Sequence, residues 1–315
     1  MELKKLGNSG LSIAPLVFGG NVFGWTADEQ TSFRLLDAFV DAGFNMIDTA
    51  DMYSIWVPGH TGGESEAIIG KWMKSTGKRE KVLIATKVGM DLGADRKGLS
   101  KAYIKLAADD SLQRLQTDCI DLYQSHTDDK DTPLEETLSA YQELIETGKV
   151  RAIGASNYSA KRLEQALEVS KKEGLPRYEC LQPCYNLYER QDYESGSEGV
   201  CAKNEIGVIP YFPLAAGFLT GKYRSEEDLS KSQRGGGMKK YMNERGDRIL
   251  AALDQVSERY HSTPAEVAIA WVSARPSITA PIASATSGSQ FAELAEATHL
   301  KLDASAMDLL NQASA

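Results

Sequence analysis

KVLIATKV (residues 81–88) is a nearly continuous apolar run rich in Val, Ile and Leu, which is typical of a strand buried on both faces. It is followed by SKAYIKLAADDSLQRLQ (100–116), whose apolar residues recur three and four positions apart, as on one face of a helix. A second apolar run, CIDLYQSH (119–126), comes next. This order of strand, helix and strand predicts two parallel strands joined by a right-handed crossover.

The same alternation extends along most of the chain, with further helical patterns such as SFRLLDAFVDAG and SAKRLEQALEVSKKEG. Eight strand and helix units predict an α/β protein with a closed (β/α)8 TIM barrel. An open doubly wound sheet usually has fewer strands, and no G-x-G-x-x-G fingerprint follows the first strand. The predicted strands are LVFGG (16–20), NMIDTA (45–50), KVLIATKV (81–88), CIDLYQSH (119–126), KVRAIGAS (149–156), ECLQPCYN (179–186), IGVIPYFPL (206–214) and ITAPIAS (278–284).

Two segments lie outside the repeat. LKKLGNSGLSI (3–13) has two short apolar segments around a Gly-Asn-Ser-Gly turn and predicts an N-terminal hairpin that plugs one end of the barrel. Residues 215–244 form a long polar loop of the kind that is usually a lid or a mobile segment, and the glycines at 235–237 favour mobility. Neither segment indicates a domain boundary, so residues 1–315 are predicted to be one domain.

Composition and charge exclude several classes of function. The 315 residues carry a formal net charge of −9 and no long basic run, so nucleic acid is not an expected partner. No signal-peptide pattern and no run of eighteen apolar residues occurs, which predicts a cytoplasmic protein without a membrane segment. The four cysteines show neither C-x-x-C nor zinc-finger spacing and are interpreted as buried free thiols, with no metal site.

Polar residues at the predicted carboxyl ends of the strands are the candidates for function, because these ends build the active site of such barrels. Each has a structural alternative: a cap for Asp48, a solvated amine for Lys87, a core histidine for His126 and a rim aromatic for Tyr53. Their shared position on consecutive strands favours the functional interpretation. The full set is Asp48, Tyr53, Lys87, His126, Ser156, Asn157 and Gln182.

These residue types can protonate a carbonyl oxygen together. A lysine ammonium about 4 Å from a phenol oxygen favours the phenolate by roughly 4 kcal/mol at an effective dielectric of 20, before desolvation opposes it. Lys87 is therefore expected to lower the pKa of Tyr53 and make it a general acid, with Asp48 as the counter-charge. His126 can donate a hydrogen bond to the carbonyl oxygen. A hydride for the carbonyl carbon requires a cofactor.

At these residues the chain resembles the aldo-keto reductase superfamily. The matching motifs extend from about residue 44 to 223 and occur in the family's order and spacing. They are FNMIDTADMYS, ESEAIIGKW, VLIATKVG, SLQRLQTDCIDLYQSH, TPLEETLSAYQELIETGKVRAIGASNYS, LQPCYNLYER and YFPLAAGFLTGKY.

The resemblance implies a catalytic tetrad of Asp48, Tyr53, Lys87 and His126, a nicotinamide cofactor across the barrel mouth and a small carbonyl compound as substrate. Because His126 is present rather than glutamate, it implies a carbonyl reductase and not a steroid double-bond reductase. The cofactor carboxamide would contact Ser156, Asn157 and Gln182, the nicotinamide ring would stack on Tyr211, and PLAAGFLTGK (213–222) would lie along the pyrophosphate. Further implied contacts are Gly20, Asn21, Asp48, Phe212, Pro213, Leu214, Gly217, Leu219, Lys222, Ser284, Thr286, Gln290 and Glu293.

The chain departs from the family pattern near its C-terminus. In SATSGSQFAELAEA (284–297), Thr286 occupies the usual position of an arginine that grips the adenosine 2′-phosphate, and no Lys or Arg is present. NADPH remains the expected cofactor, with NADH as the alternative, because hydroxyls and the next helix N-terminus can also bind phosphate. Lys222 and Arg224 in the preceding loop are alternative sources of positive charge.

A second departure is SIWVPGHTGGES (54–65), which is longer than the corresponding family link. It starts beside Tyr53, so Trp56 and, from the first loop, Trp25 are candidate walls of the substrate pocket, with plain packing as the equal alternative. His60 is interpreted as solvated. Asp51 has no assigned role and is interpreted as an exposed loop carboxylate.

Two other functions compete with a reductase. Some relatives with this fold regulate a channel, so a nicotinamide-binding redox sensor with little turnover is one alternative. A barrel aldolase that uses Lys87 as a Schiff-base nucleophile is the other, but Asp48 would keep the lysine charged and poorly nucleophilic. The sequence carries no signal for the physiological substrate, the preferred reaction direction or the oligomeric state.

Overall fold

The computed structural model describes residues 2–93, 95–233 and 235–315. Eight parallel strands form one sheet in the order β10-β3-β4-β5-β6-β7-β8-β9, surrounded by helices. Its edges are joined because Thr279 N donates a hydrogen bond to Val208 O (2.9 Å) and Ile282 N donates one to Pro210 O (2.9 Å). The predicted (β/α)8 barrel is confirmed. The strands are β3 (Val17–Gly19), β4 (Met46–Asp48), β5 (Leu83–Val88), β6 (Ile120–Ser125), β7 (Val150–Ser156), β8 (Cys180–Gln182), β9 (Gly207–Val208) and β10 (Ile282–Ala283).

All eight predicted strands are present, but the last two are much shorter than the apolar runs suggested. The run 206–214 contains only Gly207–Val208 as strand, and the run 278–284 contains only Ile282–Ala283. Pro210 and Pro213 follow β9, and a proline has no N–H with which to continue a ladder. Between β9 and Pro213, all within the described residues, the chain therefore makes only a single bridge, from Tyr211 to Cys184.

Ten α-helices are seen among the described residues, and most cover the outside of the sheet. The helix α3 buries Ile104, Ala107, Leu112 and Leu115, as the three-and-four spacing predicted, and Ser100 caps it by accepting a hydrogen bond from Tyr103 N. No described helix combines the length and apolar character needed to cross a lipid bilayer. The helices are α1 (Glu29–Asp41), α2 (Glu64–Thr76), α3 (Lys101–Leu115), α4 (Leu134–Glu146), α5 (Ala160–Glu173), α6 (Glu198–Lys203), α7 (Glu244–Tyr260), α8 (Pro264–Ser273), α9 (Gly288–Ala297) and α10 (Ala304–Ala313).

The N-terminal hairpin closes the end of the barrel where the strands begin. Its strands β1 (Lys4–Lys5) and β2 (Ser12–Ile13) pair antiparallel, and Leu6, Leu11 and Ile13 are buried. These side chains share one apolar cluster with barrel-interior residues: Val17, Met46, Ala85, Leu122, Ala152, Cys180, Ile209, Ala280 and Ile282. The sequence prediction of a hairpin plug is confirmed.

Residues 215–244 are not a loop without secondary structure, contrary to the sequence expectation. They contain three 3-10 helices, Ala215–Thr220, Glu226–Lys231 and Gly235–Tyr241. Aromatic and apolar side chains from this segment reach the core, which a polar-loop interpretation missed; they are Phe218, Tyr223, Met238 and Tyr241. A Cβ at Gly235 would lie 1.7 Å from Leu229 O, so this glycine permits close packing. Mobility of the segment stays a prediction.

The cysteines differ in burial. Cys180 and Cys201 are buried as expected, whereas Cys119 and Cys184 are partly exposed. Burial raises the pKa of the Cys201 thiol to about 12, so this group stays protonated at neutral pH.

Candidate active site

The carboxyl ends of neighbouring strands bring the predicted polar residues to one mouth of the barrel. Asp48 ends β4, where it is paired in register with Gly19 and Ala85. His126 directly follows β6, and Ser156 at the end of β7 is paired with Gln182 at the end of β8. Parallel register therefore explains why residues far apart in sequence meet here.

The Lys87 ammonium lies at the centre of a compact polar cluster. Its Nζ donates hydrogen bonds to Asp48 Oδ2 (2.7 Å), to Thr49 O (2.6 Å) and to Tyr53 Oη (2.9 Å). These three bonds use all three ammonium protons. A fully bonded ammonium paired with a carboxylate is a poor nucleophile, which argues against a Schiff-base role for Lys87.

Asp48 is held by partners on the other side of its carboxylate. Gln182 Nε2 donates a hydrogen bond to Asp48 Oδ1 at 2.9 Å, and Gln124 Nε2 lies 3.4 Å from the same oxygen. Asp48 and Lys87 are both fully buried. Removal of one partner of a buried ion pair typically costs about 3–5 kcal/mol, because the other charge is then uncompensated.

Tyr53 reaches this cluster from a turn that follows β4. Ser54, the next residue, has φ +76°, and its Oγ donates a hydrogen bond to Phe23 O (2.7 Å), which ties the turn to the first loop. Tyr53 Oη lies 2.9 Å from Lys87 Nζ and 3.4 Å from Asp48 Oδ2. The phenol oxygen therefore faces both members of the ion pair.

The direction of the Tyr53 pKa corrects the sequence expectation. Burial, followed by the nearby Asp48 carboxylate, raises the pKa of Tyr53 well above its ordinary value. Burial also lowers the pKa of Lys87, although Asp48 opposes this change. The expected lowering of the Tyr53 pKa was wrong because burial disfavours the phenolate and because Asp48 faces the phenol as well as the ammonium. Tyr53 consequently holds its proton at neutral pH, which is the state that a proton donor needs.

His126 lies next to Tyr53 in a nearly closed environment. Their ring centroids are 6.0 Å apart, and burial, followed by the Lys87 charge, lowers the pKa of His126 well below its ordinary value. Nδ1 is buried without a hydrogen-bond partner among the residues the structure describes. The neutral ring lines the cavity, and Nε2 is the ring nitrogen that we expect to bond a ligand there.

A cavity of about 650 Å³ opens at this mouth and contacts most of the predicted cofactor residues. Ser156 Oγ donates a hydrogen bond to Gln182 O (2.8 Å), and Tyr211 Oη donates one to Asn157 Oδ1 (2.8 Å). The predicted residues that line the cavity are Asn21, Asp48, Tyr53, Trp56, His126, Ser156, Asn157, Gln182, Tyr211, Phe212, Pro213, Leu214, Gly217, Lys222, Ser284, Thr286, Gln290 and Glu293.

Four predicted residues lie outside this lining. Gly20 packs against the Asp48 backbone, where an added Cβ would be 3.1 Å from the carbonyl oxygen, and Leu219 is buried in the core. Trp25 packs edge-on against Trp56 with ring centroids 5.5 Å apart. Lys87 is reached from the cavity only through its partners, because its side chain is fully buried.

The far rim of the cavity contains the departure from the family pattern. Thr286 and Gln290 are hydrogen-bonded to each other through the Gln290 side-chain oxygen (2.8 and 3.0 Å). Arg224 makes a bidentate ion pair with Asp254 (2.9 and 2.7 Å) and is not among the cavity residues. Lys222 lines the cavity, with its ammonium 5.1 Å from the ring centroid of Tyr223. Of the two cations considered from sequence, Lys222 is thus the one at the cavity.

Sequence reasoning missed several residues in and behind this mouth, among them Lys231, which lines the cavity, and Gln124 and Asp51. Gln124 lies on β6, two residues before His126 and therefore on the same face, so strand alternation could have identified it. Asp51 was interpreted as exposed but is only 2% exposed. Nothing in the local sequence indicates this burial, because it depends on helices that come later in the chain.

A sequence profile of the aldo/keto reductase family matches residues 15–315. This chain belongs to the aldo/keto reductase family. It is 34% identical to the uncharacterized oxidoreductase YrpG of Bacillus subtilis, over 99% of this chain and 95% of that protein. It is 31% identical to the aldo-keto reductase yakc [NADP(+)] of Schizosaccharomyces pombe (81% and 74% covered). It is also 32% identical to a probable voltage-gated potassium channel subunit beta of Oryza sativa (93% and 90%).

Proposed function

We propose that this protein is a cytoplasmic NAD(P)H-dependent oxidoreductase that reduces aldehydes or ketones to alcohols and can catalyse the reverse oxidation. The observation that carries the proposal is the contact of Lys87 Nζ with both Tyr53 Oη (2.9 Å) and Asp48 Oδ2 (2.7 Å) at the wall of a large cavity. Reduced nicotinamide, when bound, supplies the hydride that a carbonyl carbon requires. The side chains at the mouth then have to donate one proton to the carbonyl oxygen and stabilise the negative charge that develops on it.

Each member of the tetrad has a separate task in this proposal. In the tautomer protonated on Nε2, the neutral His126 ring donates a hydrogen bond from Nε2 to the carbonyl oxygen and orients it. Tyr53 gives the proton from Oη to that oxygen. The Lys87 ammonium, 2.9 Å away, stabilises the phenolate that remains. In the reverse reaction the phenolate takes the alcohol proton back.

The cavity offers suitable chemistry for a nicotinamide cofactor. Ser156, Asn157 and Gln182 provide the hydroxyl and amide groups that a carboxamide needs, and Tyr211 provides an aromatic face beside them. We propose NADPH as the first choice, supported by the family and by the NADP(+) in the name of the fission-yeast relative. Lys222 would supply positive charge to a phosphate, and NADH remains the alternative.

The substrate would enter beside an aromatic wall. Trp56 is 41% exposed, lines the cavity and lies 6.1 Å from the Tyr53 ring. Trp25 supports Trp56 from behind in an edge-on contact. Apolar carbonyl compounds would bury more of this surface than strongly hydrated ones, which makes them the preferred substrate class.

Cofactor titration followed by turnover tests this function. Purified protein is titrated with NADPH and with NADH by tryptophan fluorescence, because Trp56 borders the cavity. A reactive aldehyde such as 4-nitrobenzaldehyde is then added, and loss of reduced-nicotinamide absorbance is followed. Continued consumption over many turnovers supports the reductase, whereas tight binding with no consumption across several carbonyl compounds would contradict it.

A regulatory nicotinamide-binding subunit is the second candidate, and the similarity to the rice protein that is named as a channel subunit favours it. That function needs cofactor binding but does not need a proton donor. The complete Asp48, Tyr53, Lys87 and His126 cluster favours the enzyme, because a donor, its charged neighbour and a polarising group are all in contact. The turnover experiment separates the two.

A further inference from the structure

Asp51 is a buried carboxyl group behind the proposed active site. It is 2% exposed, and neither carboxyl oxygen makes a hydrogen bond within the described part of the chain. Its backbone N–H donates a hydrogen bond to Lys87 O (3.2 Å), so it is attached to the strand that carries the ammonium. Asp48, three residues earlier, is by contrast bonded through both oxygens. An ionised carboxylate with no hydrogen bond in such a place is strongly disfavoured.

Charged groups on three neighbouring elements face Asp51. Lys87 on β5 is already paired with Asp48, and Arg114 on α3 is already paired with Glu66 on α2 at 2.7 Å. An ionised Asp51 would therefore be the third carboxylate around two cations. Phenol groups on α3, β6 and α4 complete the surroundings, namely those of Tyr103, Tyr123 and Tyr141.

The balance of these groups keeps Asp51 neutral at pH 7. Burial, followed by the Glu66 carboxylate, raises the pKa of Asp51 to about 8, although Arg114 and Lys87 oppose the change. Conversely, an ionised Asp51 raises the pKa of Lys87, which burial otherwise lowers. The two groups are therefore coupled, and the state of one affects proton loss from the other.

We propose that Asp51 is a positioning residue that acts through Lys87: the buried, unbonded Asp51 carboxyl, tied to the Lys87 strand through its backbone, adds a negative charge near the Lys87 ammonium when it ionises at alkaline pH, and the ammonium keeps its charge beside Tyr53. The inference rests on the proposed reductase function, in which that ammonium stabilises the Tyr53 phenolate. Asp51 extends carbonyl reduction to alkaline pH because its negative charge, once formed, opposes proton loss from the Lys87 ammonium. The released proton goes to solvent, and no bond in the substrate is affected.

The kinetic test compares the wild type, Asp51→Asn and Asp118→Asn. Asparagine keeps the shape of Asp51 but cannot ionise, and Asp118 is an exposed carboxylate that controls for the change in net charge. The pH profile of kcat/KM for aldehyde reduction is measured from neutral to alkaline pH. In Asp51→Asn we expect the midpoint of the alkaline limb to fall by about one pH unit, the scale of coupling between nearby charges. Asp118→Asn should retain the wild-type midpoint.

Thermal unfolding of the same proteins gives a readout that needs no turnover. The unfolded chain ionises Asp51 near pH 4, whereas the folded chain keeps it protonated until about pH 8, so the wild type loses stability as the pH rises through this window. The gain in Tm of Asp51→Asn over the wild type should therefore grow from pH 5 to pH 8. A gain that does not change with pH would show that Asp51 ionises normally and would overturn the inference.

The kinetic outcomes separate this inference from the proposed function. Turnover with the same alkaline midpoint in the wild type and Asp51→Asn would mean that Asp51 is purely structural. A midpoint that moves upward in Asp51→Asn would mean that the Asp51 charge acts against Tyr53 rather than in support of Lys87. Both results overturn the inference and leave the reductase intact. Absence of turnover in all three proteins would instead contradict the proposed reductase function, and the inference about Asp51 would then also be wrong.

Discussion

The two ends of the barrel differ in the side chains that they bury: one end buries apolar side chains and the other buries charged ones. At the end where the strands begin, Leu6, Leu11 and Ile13 of the hairpin fill the opening with apolar side chains. At the other end the Lys87 and Asp48 charges are buried, and each is paired. Apolar packing at the first end contributes stability without chemistry. The polar mouth carries desolvated charges that contribute little to stability but create unusual protonation states.

This contrast assigns separate consequences to mutations at the two ends. A change at the mouth that keeps the buried Asp48–Lys87 pair intact should affect turnover more than stability, because the tetrad side chains act on the substrate. A change at the plug should affect stability more than turnover, because its residues contact only the start of the strands. An equal effect on both properties, at either end, would contradict the comparison.

The largest expected effect is at the mouth, in Tyr53→Phe. Removal of the phenol hydroxyl deletes the proposed proton donor, and we expect turnover to fall by about 10²–10⁴-fold, the usual contribution of general acid catalysis. Cofactor affinity should change little, since the hydroxyl faces Lys87 and Asp48. Steady-state kinetics with an aldehyde and fluorescence titration with NADPH measure the two quantities. Equal losses in turnover and in cofactor affinity would mean that Tyr53 is not specifically the proton donor.

The second prediction concerns the plug and uses two glycines of the same hairpin. Gly7 has φ +54°, and a Cβ there would lie 2.4 Å from Glu179 O, whereas Gly10 has φ +75° and open space around it. Both alanine variants are strained by the positive φ, but only the new methyl group of Gly7→Ala would clash with the backbone of the barrel. We expect Gly7→Ala to lower the free energy of unfolding by about 1–3 kcal/mol more than Gly10→Ala does.

Chemical denaturation measures this difference between the glycine variants. Turnover per folded molecule at low temperature should match the wild type in both, since neither residue approaches the mouth. If the two variants were equally stable, close contact of the hairpin with β8 and β9 would not contribute to the fold. If Gly7→Ala lost turnover while folded, the two ends of the barrel would be coupled.

The sequence predicts the parts of this molecule that depend on local pattern. The eight strands and the residues at their carboxyl ends follow from periodicity, and parallel register then brings Asp48, Lys87 and His126 together. Burial of Asp51 could not be predicted, because Glu66 and Arg114 come from helices packed later over its turn. The direction of the Tyr53 pKa failed for a similar reason.

That failure arises first from the burial of Tyr53, which raises its pKa most, and second from a contact with Asp48 that no sequence pattern encodes. From sequence, Asp48 was expected to act only on Lys87, but its Oδ2 also lies 3.4 Å from Tyr53 Oη. A carboxylate so close to a phenol disfavours the phenolate. The apolar run 206–214 misled for another reason, since Ile209 is buried beyond β9 without extending the strand.

The third prediction concerns the far rim of the mouth, where the family resemblance implies that Thr286 occupies the position of an arginine. Thr286→Arg would bring a guanidinium to the expected position of the 2′-phosphate, and a hydrogen bond to a charged group contributes about 1.5–3 kcal/mol. We expect the preference for NADPH over NADH, measured as a ratio of Kd values, to rise by about tenfold or more. Thr286→Gln is the matched control, because it is long but uncharged and should leave the ratio unchanged. An unchanged ratio of Kd values in Thr286→Arg would mean that the 2′-phosphate does not bind at this rim.

The smallest expected effect is at the centre of the mouth, where His126 should not titrate at all near neutral pH. Burial and the Lys87 charge lower the pKa of His126 well below the ordinary value. The ring therefore stays neutral in the folded protein at a pH below about 6.5, where it binds a proton in the unfolded chain. Stability that is present above pH 6.5 should therefore be lost as the pH falls below it. Proton NMR between pH 7.5 and 5.5, with His126→Asn to assign the ring signal, should show no shift for this histidine. A midpoint near 6.5 would mean that water reaches the ring, and the polar mouth would then lack the desolvation that distinguishes it from the plug.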